Sequence, residues 1–122
     1  MNWTLDKSRP ICPQLCEIIC VGVASGEYLP GAKLLSVREI ALLAGVNPNT
    51  VQKAFEELER RGVIHSVRCS GWYVNDSTDA AAEELKSLRM KKTEEYLAAM
   101  AQLGCSTDEI IKYINECQGG KQ

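Results

Sequence analysis

A chain of 122 residues has room for one compact domain of about 75 residues plus an appendage, and excludes two full-sized domains. Its composition, 45% hydrophobic and 25% charged with nine Gly and four Pro, excludes the disordered and fibrous classes. The net charge of −2 gives no bulk attraction to nucleic acid: residues 1–75 carry eight Lys or Arg against seven Asp or Glu, and residues 76–122 six against nine.

The longest nearly uncharged run, around residues 18–26, is far shorter than the roughly 20 apolar residues of a membrane span. Residues 1–10 include Trp3, Asp6, Lys7 and Arg9 and lack the apolar core of a signal peptide. A cytoplasmic protein with no membrane partner is therefore expected, and its six cysteines are expected to be reduced thiols.

In chain order, Ile11, Leu15, Ile18, Ile19 and Val23 recur at helical spacing, with Pro13 tolerated in the first turn, and Gly26 ends this first helix. Ser36 followed three residues later by Glu39 is a capping box, and it opens a short second helix that runs to about Ala44. Asn47 and Pro48 read as an N-cap followed by proline at the first helical position. They open a third helix over residues 48–61, with Val51, Ala54, Phe55 and Leu58 on its apolar face. Only Gly45, Val46 and Asn47 separate the second and third helices, which is the short connection of a helix-turn-helix.

Residues 63–67 and 71–74 form two short β-rich runs around the polar break 68–70, and together they predict a two-stranded wing. After the polar boundary 75–78, Leu85, Leu88, Tyr96, Leu97, Met100 and Leu103 mark a helix of about 25 residues that Gly104 breaks. Ser106 and Glu109 form another capping box, and Ile110, Ile111, Ile114 and Cys117 give the last helix an apolar stripe. The tail 118–122 is expected to fray. The fold class is thus mainly α with a small β wing: a winged helix-turn-helix over residues 1–75 and a two-helix region over 76–122.

The run 25–34 (SGEYLPGAKL) followed by Ser36-Val37-Arg38-Glu39-Ile40-Ala41 closely resembles the N-terminal domain of the GntR family of bacterial regulators. The stretch from Val46-Asn47-Pro48-Asn49-Thr50-Val51-Gln52-Lys53-Ala54-Phe55 to Gly62 resembles its recognition-helix segment, and the wording Asn-Pro-Asn-Thr-Val is similar to the YtrA-type branch. Coverage is about residues 11–75. The sequence departs from the family at Leu35, where proline is usual, and at Cys69, where a wing-tip glycine is usual. These predict a looser approach to the second helix and a wing tip that comes less close to the DNA backbone.

The resemblance implies a transcription regulator, often a repressor, that binds double-stranded DNA as a homodimer. In such a fold the start of the third helix lies in the major groove, so Asn49 and Gln52 are placed to read bases. Arg38 is implied as a guanine or phosphate contact, Lys33, Ser36, Thr50 and Lys53 as phosphate contacts, and Arg68 and Gly71 as the wing's contribution near the minor groove. Between residues 33 and 53 three basic residues stand against one acidic, a local excess that the whole chain lacks. The tail is implied to pair two reading heads on an inverted repeat through Leu85, Leu88, Tyr96, Leu97, Met100, Leu103, Ile110, Ile111 and Ile114. The alternative for the tail is a helix packed within its own chain.

Other readings stay open beside this one. A winged helix can serve as a protein-docking module without nucleic acid, in which case apolar rather than basic residues are expected on the face that carries Arg38, Lys53 and Arg68. Cys12, Cys16 and Cys20 lie at i, i+4 and i+8 on one side of the first helix, a spacing compatible with a metal or oxidant sensor and equally with a buried apolar stripe. The single histidine, His65, has no acid or nucleophile near it in sequence and reads as surface, so neither an enzyme nor a metal or cofactor requirement is expected. A tail of about 45 residues leaves little room for a ligand pocket of its own, so any small-molecule effector would bind at the dimer interface or between tail and head.

Overall fold

The computed structural model describes residues 2–119. The elements follow the order α1 (Ile11–Ala24), α2 (Val37–Ala44), α3 (Pro48–Arg60), β1 (Ile64–Val67), β2 (Gly71–Val74), α4 (Asp79–Gln102) and α5 (Thr107–Gln118). Of the tail expected to fray, Gln118 belongs to α5, and residues 120–122 lie outside the described residues. The chain divides into two compact units, Met1–Lys86 and Ser87–Gln122.

In the first unit α1 turns Leu15, Cys16, Ile19, Cys20 and Val23 inward, and α3 answers with Val51, Ala54, Phe55 and Leu58. Phe55, Leu15, Ile19, Ile40, Leu58 and Ile64 are fully buried, each contributing about 1.5–3 kcal/mol through removal of apolar surface from water. The cysteine stripe is part of this core. The Cys16 thiol donates to the Ala54 carbonyl at 3.7 Å, and Cys20 is buried beside it. Burial pushes the Cys16 thiol up to about 12, helped by the neighbouring Cys12, and the Cys20 thiol up to about 11, helped by the Glu84 carboxylate.

The N-terminal segment, which carries no periodic signal, is built into this unit. Trp3 is buried in the core, and the Lys7 ammonium donates to the carbonyls of Ala44 and Gly45, at 2.8 Å each. This places a cation where the last turn of α2 leaves carbonyls without helical partners. The Gln14 amide clamps the same segment, accepting from the Asp6 N–H and donating to the carbonyls of Asp6 and Pro10.

The wing is an antiparallel pair in which Ile64 faces Val74 and Val67 faces Gly71. The segment before α2 lines its edge: Leu34 N–H donates to the Trp72 carbonyl at 2.9 Å, and Val74 N–H to the Ala32 carbonyl at 2.9 Å. Trp72 meets Phe55 edge to face, with ring centroids 5.2 Å apart, so the wing is anchored to the apolar side of α3. The first turns of α4 close the unit. Ala81 is buried, and Arg61 at the end of α3 reaches Glu84 at 3.3 Å.

In the second unit α4 ends at a turn where Cys105 N–H donates to the Met100 carbonyl at 3.1 Å. The capping box of Ser106 and Glu109 then starts α5. Ile110 is buried within the chain, whereas Tyr96, Leu97, Leu103, Ile111, Tyr113 and Ile114 are exposed.

Candidate nucleic-acid interface

The helix-turn-helix is built by local capping at each step. Ser36 accepts from the Glu39 N–H at 3.1 Å while its own N–H donates to the Glu39 carboxylate at 2.9 Å, so the start of α2 is fixed although Leu35 stands in place of proline. Leu35 itself packs against the core. That hydrogen bond from the Ser36 backbone holds the Glu39 carboxyl below its ordinary value. At the other end Gly45 adopts φ 68°, a left-handed conformation that a residue with a Cβ enters only at a cost, and the chain reverses. Asn47 then accepts from the Asn49 N–H at 2.8 Å, and Pro48 opens α3.

This scaffold decides where the implied contact residues stand. Arg38, on the first turn of α2, is exposed, and so are Asn49 and Lys53 on the first turns of α3, with Thr50 and Gln52 half-buried beside them. Helical spacing puts Asn49, Gln52, Lys53 and Glu56 on the face of α3 opposite Val51, Ala54, Phe55 and Leu58. Ser36 presents its hydroxyl at the N-cap of α2. Lys33 is exposed and bridges to Tyr73 of the wing, and Gly71 opens β2 with φ 137°. Arg68 is exposed in the wing turn closed by Ser70 N–H and the Val67 carbonyl at 3.0 Å.

The electrostatics of the first unit separate two sets of cations. Lys7 caps α2, Arg9 pairs with Asp6 at 3.0 Å, Arg60 pairs with Glu57, and Arg61 pairs with Glu57 at 3.7 Å and with Glu84. Among the described residues Lys33, Arg38, Lys53 and Arg68 make no hydrogen bond or ion pair with their side chains. Lys33, Arg38, Lys53 and Arg68, the cations of the helix-turn-helix and the wing, are thus among those left available for an external anion, as is Lys86 on α4.

Residues 16–74 match the family described as bacterial regulatory proteins, gntR family. The HTH-type transcriptional repressor YtrA of Bacillus subtilis (strain 168) is 34% identical over 95% of this chain and 93% of its own length. The chain belongs to the GntR family. A GntR family transcriptional regulator from Listeria monocytogenes superposes with a TM-score of 0.81 at 34% identity, covering 92% of this chain and 98% of that one. The DNA-binding domain of AraR in complex with operator ORX1 matches with a TM-score of 0.53 at 30% identity, over 57% of this chain and 86% of its own. This GntR chain is thus a transcription regulator with a winged helix-turn-helix, and the family is one of regulators rather than enzymes.

Several features of the site carry no clear sequence signal. Lys33 joins the wing through a bridge between residues forty positions apart, Lys33 and Tyr73. The exception is Gln52, which donates to the Glu56 carboxylate at 3.1 Å, since the i, i+4 spacing of that pair is visible in the sequence. Leu42 is 86% exposed one turn beyond Arg38, and Leu43 beside it lines an open cleft of about 400 Å³ with Trp3, Leu5, Lys7 and Ala44. His65 is exposed, with Nδ1 2.6 Å from Asn75 Oδ1 and its ring stacked near Tyr73. Among the described residues no group of three or more His, Cys, Asp or Glu side chains is arranged to hold a metal ion, and no helix is long and apolar enough to cross a membrane.

Proposed function

We propose that this GntR regulator is a sequence-specific repressor that binds an inverted-repeat operator as a homodimer in the cytoplasm. The observation that carries the reading is the set of four unpaired cations, Lys33, Arg38, Lys53 and Arg68, on the elements that a winged helix brings to DNA. Asn49 and Gln52 read base edges in the major groove. Ser36, Thr50, Lys53 and Lys33 bond phosphates, Arg38 bonds guanine or phosphate, and Arg68 follows the minor groove with Gly71 allowing the wing strand its course. The repressor assignment is supported by the likeness to YtrA, and DNA as partner by the likeness to AraR bound to its operator.

The winged helix-turn-helix of residues 1–75, closed by the first turns of α4, serves as the reading head, and the remainder of the 76–122 region serves for pairing. Pairing is supported by the exposed Tyr96, Leu97, Leu103, Ile111 and Ile114, with Leu85, Leu88 and Met100 half-buried along α4. One head contacts too few phosphates for tight binding, and two heads on an inverted repeat multiply those contacts. Any small-molecule effector would act by changing how the two heads are presented.

The docking-module reading draws on one observation, the exposure of Leu42 beside Arg38. Salt dependence separates the two. Gel-shift of a duplex carrying the inverted repeat nearest the protein's own gene, at two salt concentrations, is expected to show binding that weakens steeply with salt. Absent or salt-insensitive binding excludes the repressor reading.

A further inference from the structure

Glu56 stands on the outward face of α3, one turn beyond Gln52. Its two acidic neighbours are occupied elsewhere: Glu57 is held by Arg60 and Arg61, and Glu59 accepts from the N–H and hydroxyl of Ser66. Glu56 accepts from Gln52 Nε2 at 3.1 Å. On charge alone a carboxylate in this position opposes binding to a polyanion. What it supplies is an acceptor one helical turn from the Gln52 amide.

A carboxylate oxygen only accepts, so the Gln52 amide must turn its NH2 group toward Glu56 and cannot present the opposite orientation without losing the bond. One N–H is used in this way. The second N–H and the carbonyl Oε1 remain, a donor beside an acceptor. In the major groove adenine offers an acceptor at N7 and a donor at N6, which this pair matches. Guanine offers acceptors at both N7 and O6, so Oε1 would meet O6 acceptor to acceptor.

We propose that Glu56 is a positioning residue for sequence readout, locking the Gln52 amide in the orientation that selects adenine and rejects guanine at one position of each half-site. This deepens the DNA-reading function proposed above and rests on it.

The experiment is selection of operator duplexes from a randomised pool by the full-length wild type and by Glu56→Ala and Glu56→Gln, with thermal melting of each variant as a check on folding. Wild type is expected to prefer adenine over guanine by about tenfold at one half-site position. Glu56→Ala is expected to lose most of that preference at that position alone, because the freed amide can rotate. Glu56→Gln, which keeps an acceptor without the charge, is expected to retain most of it. An unchanged preference in Glu56→Ala overturns the assignment. So does equal loss in both variants, which would make the charge and not the hydrogen bond the cause. A wild type that selects no duplex overturns the DNA-binding function itself, a result distinct from either.

Discussion

The stem of Lys33 lies over Gly71: a Cβ added at position 71 would stand 3.2 Å from Lys33 Cε. The contact joins the segment ahead of α2 to the first residue of β2, and position 71 also holds φ 137°, which side chains rarely adopt. Gly71→Ala therefore meets two obstacles, a strained backbone and a displaced lysine. It is expected to lower stability by about 1–2 kcal/mol by thermal melting. Operator affinity should fall further than that of Lys33→Ala, since the wing strand moves as well.

Arg38→Ala tests the unpaired cations without disturbing the core. The side chain is exposed and bonds nothing within the described chain, so melting should change by less than about 0.5 kcal/mol. Operator binding should weaken about tenfold. If Arg38 meets a phosphate, the slope of log affinity against log salt should drop by about one; if it meets guanine, the slope should hold and one base preference should relax. Arg60→Ala is the control. That guanidinium is tied to Glu57, and its loss should leave operator affinity within about twofold if it contributes no phosphate contact.

Much of this site is legible in the sequence because its determinants are local. The capping box of Ser36 and Glu39, the cap at Asn47, the turn at Gly45 and the break 68–70 each act over a few residues, and each stands in the structure where periodicity and capping place it. What escapes the sequence acts over distance. Trp3 enters the core, and Lys7 caps a helix ending 37 residues later. The Lys33 bridge to the wing likewise requires the folded chain. Nor does a count of charges disclose which cations are free, because Arg61 is removed from the set by Glu84, a residue on another helix. The cysteine stripe shows the reverse case. Its spacing admits a sensor or a core, and burial of Cys16 and Cys20 against α3 decides for the core.

That burial has a pH consequence. Burial pushes the Cys16 thiol up to about 12 and the Cys20 thiol up to about 11, above their ordinary 9.0. Each binds its proton more tightly folded than unfolded, so its contribution to stability is complete below about pH 9 and is lost as pH rises through 11 and 12. Urea midpoints should be flat with respect to these two groups at neutral pH and fall above pH 9; Cys16→Ala with Cys20→Ala should flatten the alkaline limb. At neutral pH a thiol reagent should modify the exposed Cys69 and Cys117 rapidly, and Cys16 and Cys20 only after unfolding.

Cys69 marks the one place in the wing where the residue type opposes the backbone. Its φ of 63° is the only positive value among the described residues other than glycine, and it occupies the third position of the turn that Val67 and Ser70 close. Turns of this kind favour glycine or asparagine there. Cys69→Gly should relieve the side-chain strain, offset in part by the greater freedom of glycine in the unfolded chain, for a net gain of about 0.5 kcal/mol. Because the smaller residue also lets the wing tip approach the DNA backbone, operator affinity should rise in the same variant. A stabilised variant with unchanged affinity would place the tip away from the phosphates.

Pairing through the tail is the assumption on which the inverted repeat rests, and it can be tested apart from DNA. Leu103, in the turn after α4, is 80% exposed and Ile114 on α5 is 50% exposed. A lysine at either position costs the folded monomer little, because the side chain is already in water, yet it would place a charge inside a dimer interface. Light scattering at micromolar concentration should give a dimer for the wild type and a monomer for the double variant Leu103→Lys, Ile114→Lys, with melting of the first unit unchanged. Operator affinity should then fall by about a hundredfold, as the second head is no longer held near its half-site. Affinity for a single half-site should stay constant, because Arg38, Gln52 and Lys53 are untouched. A wild type that scatters as a monomer, or a variant that pairs as well as the wild type, moves the pairing surface away from Leu103 and Ile114.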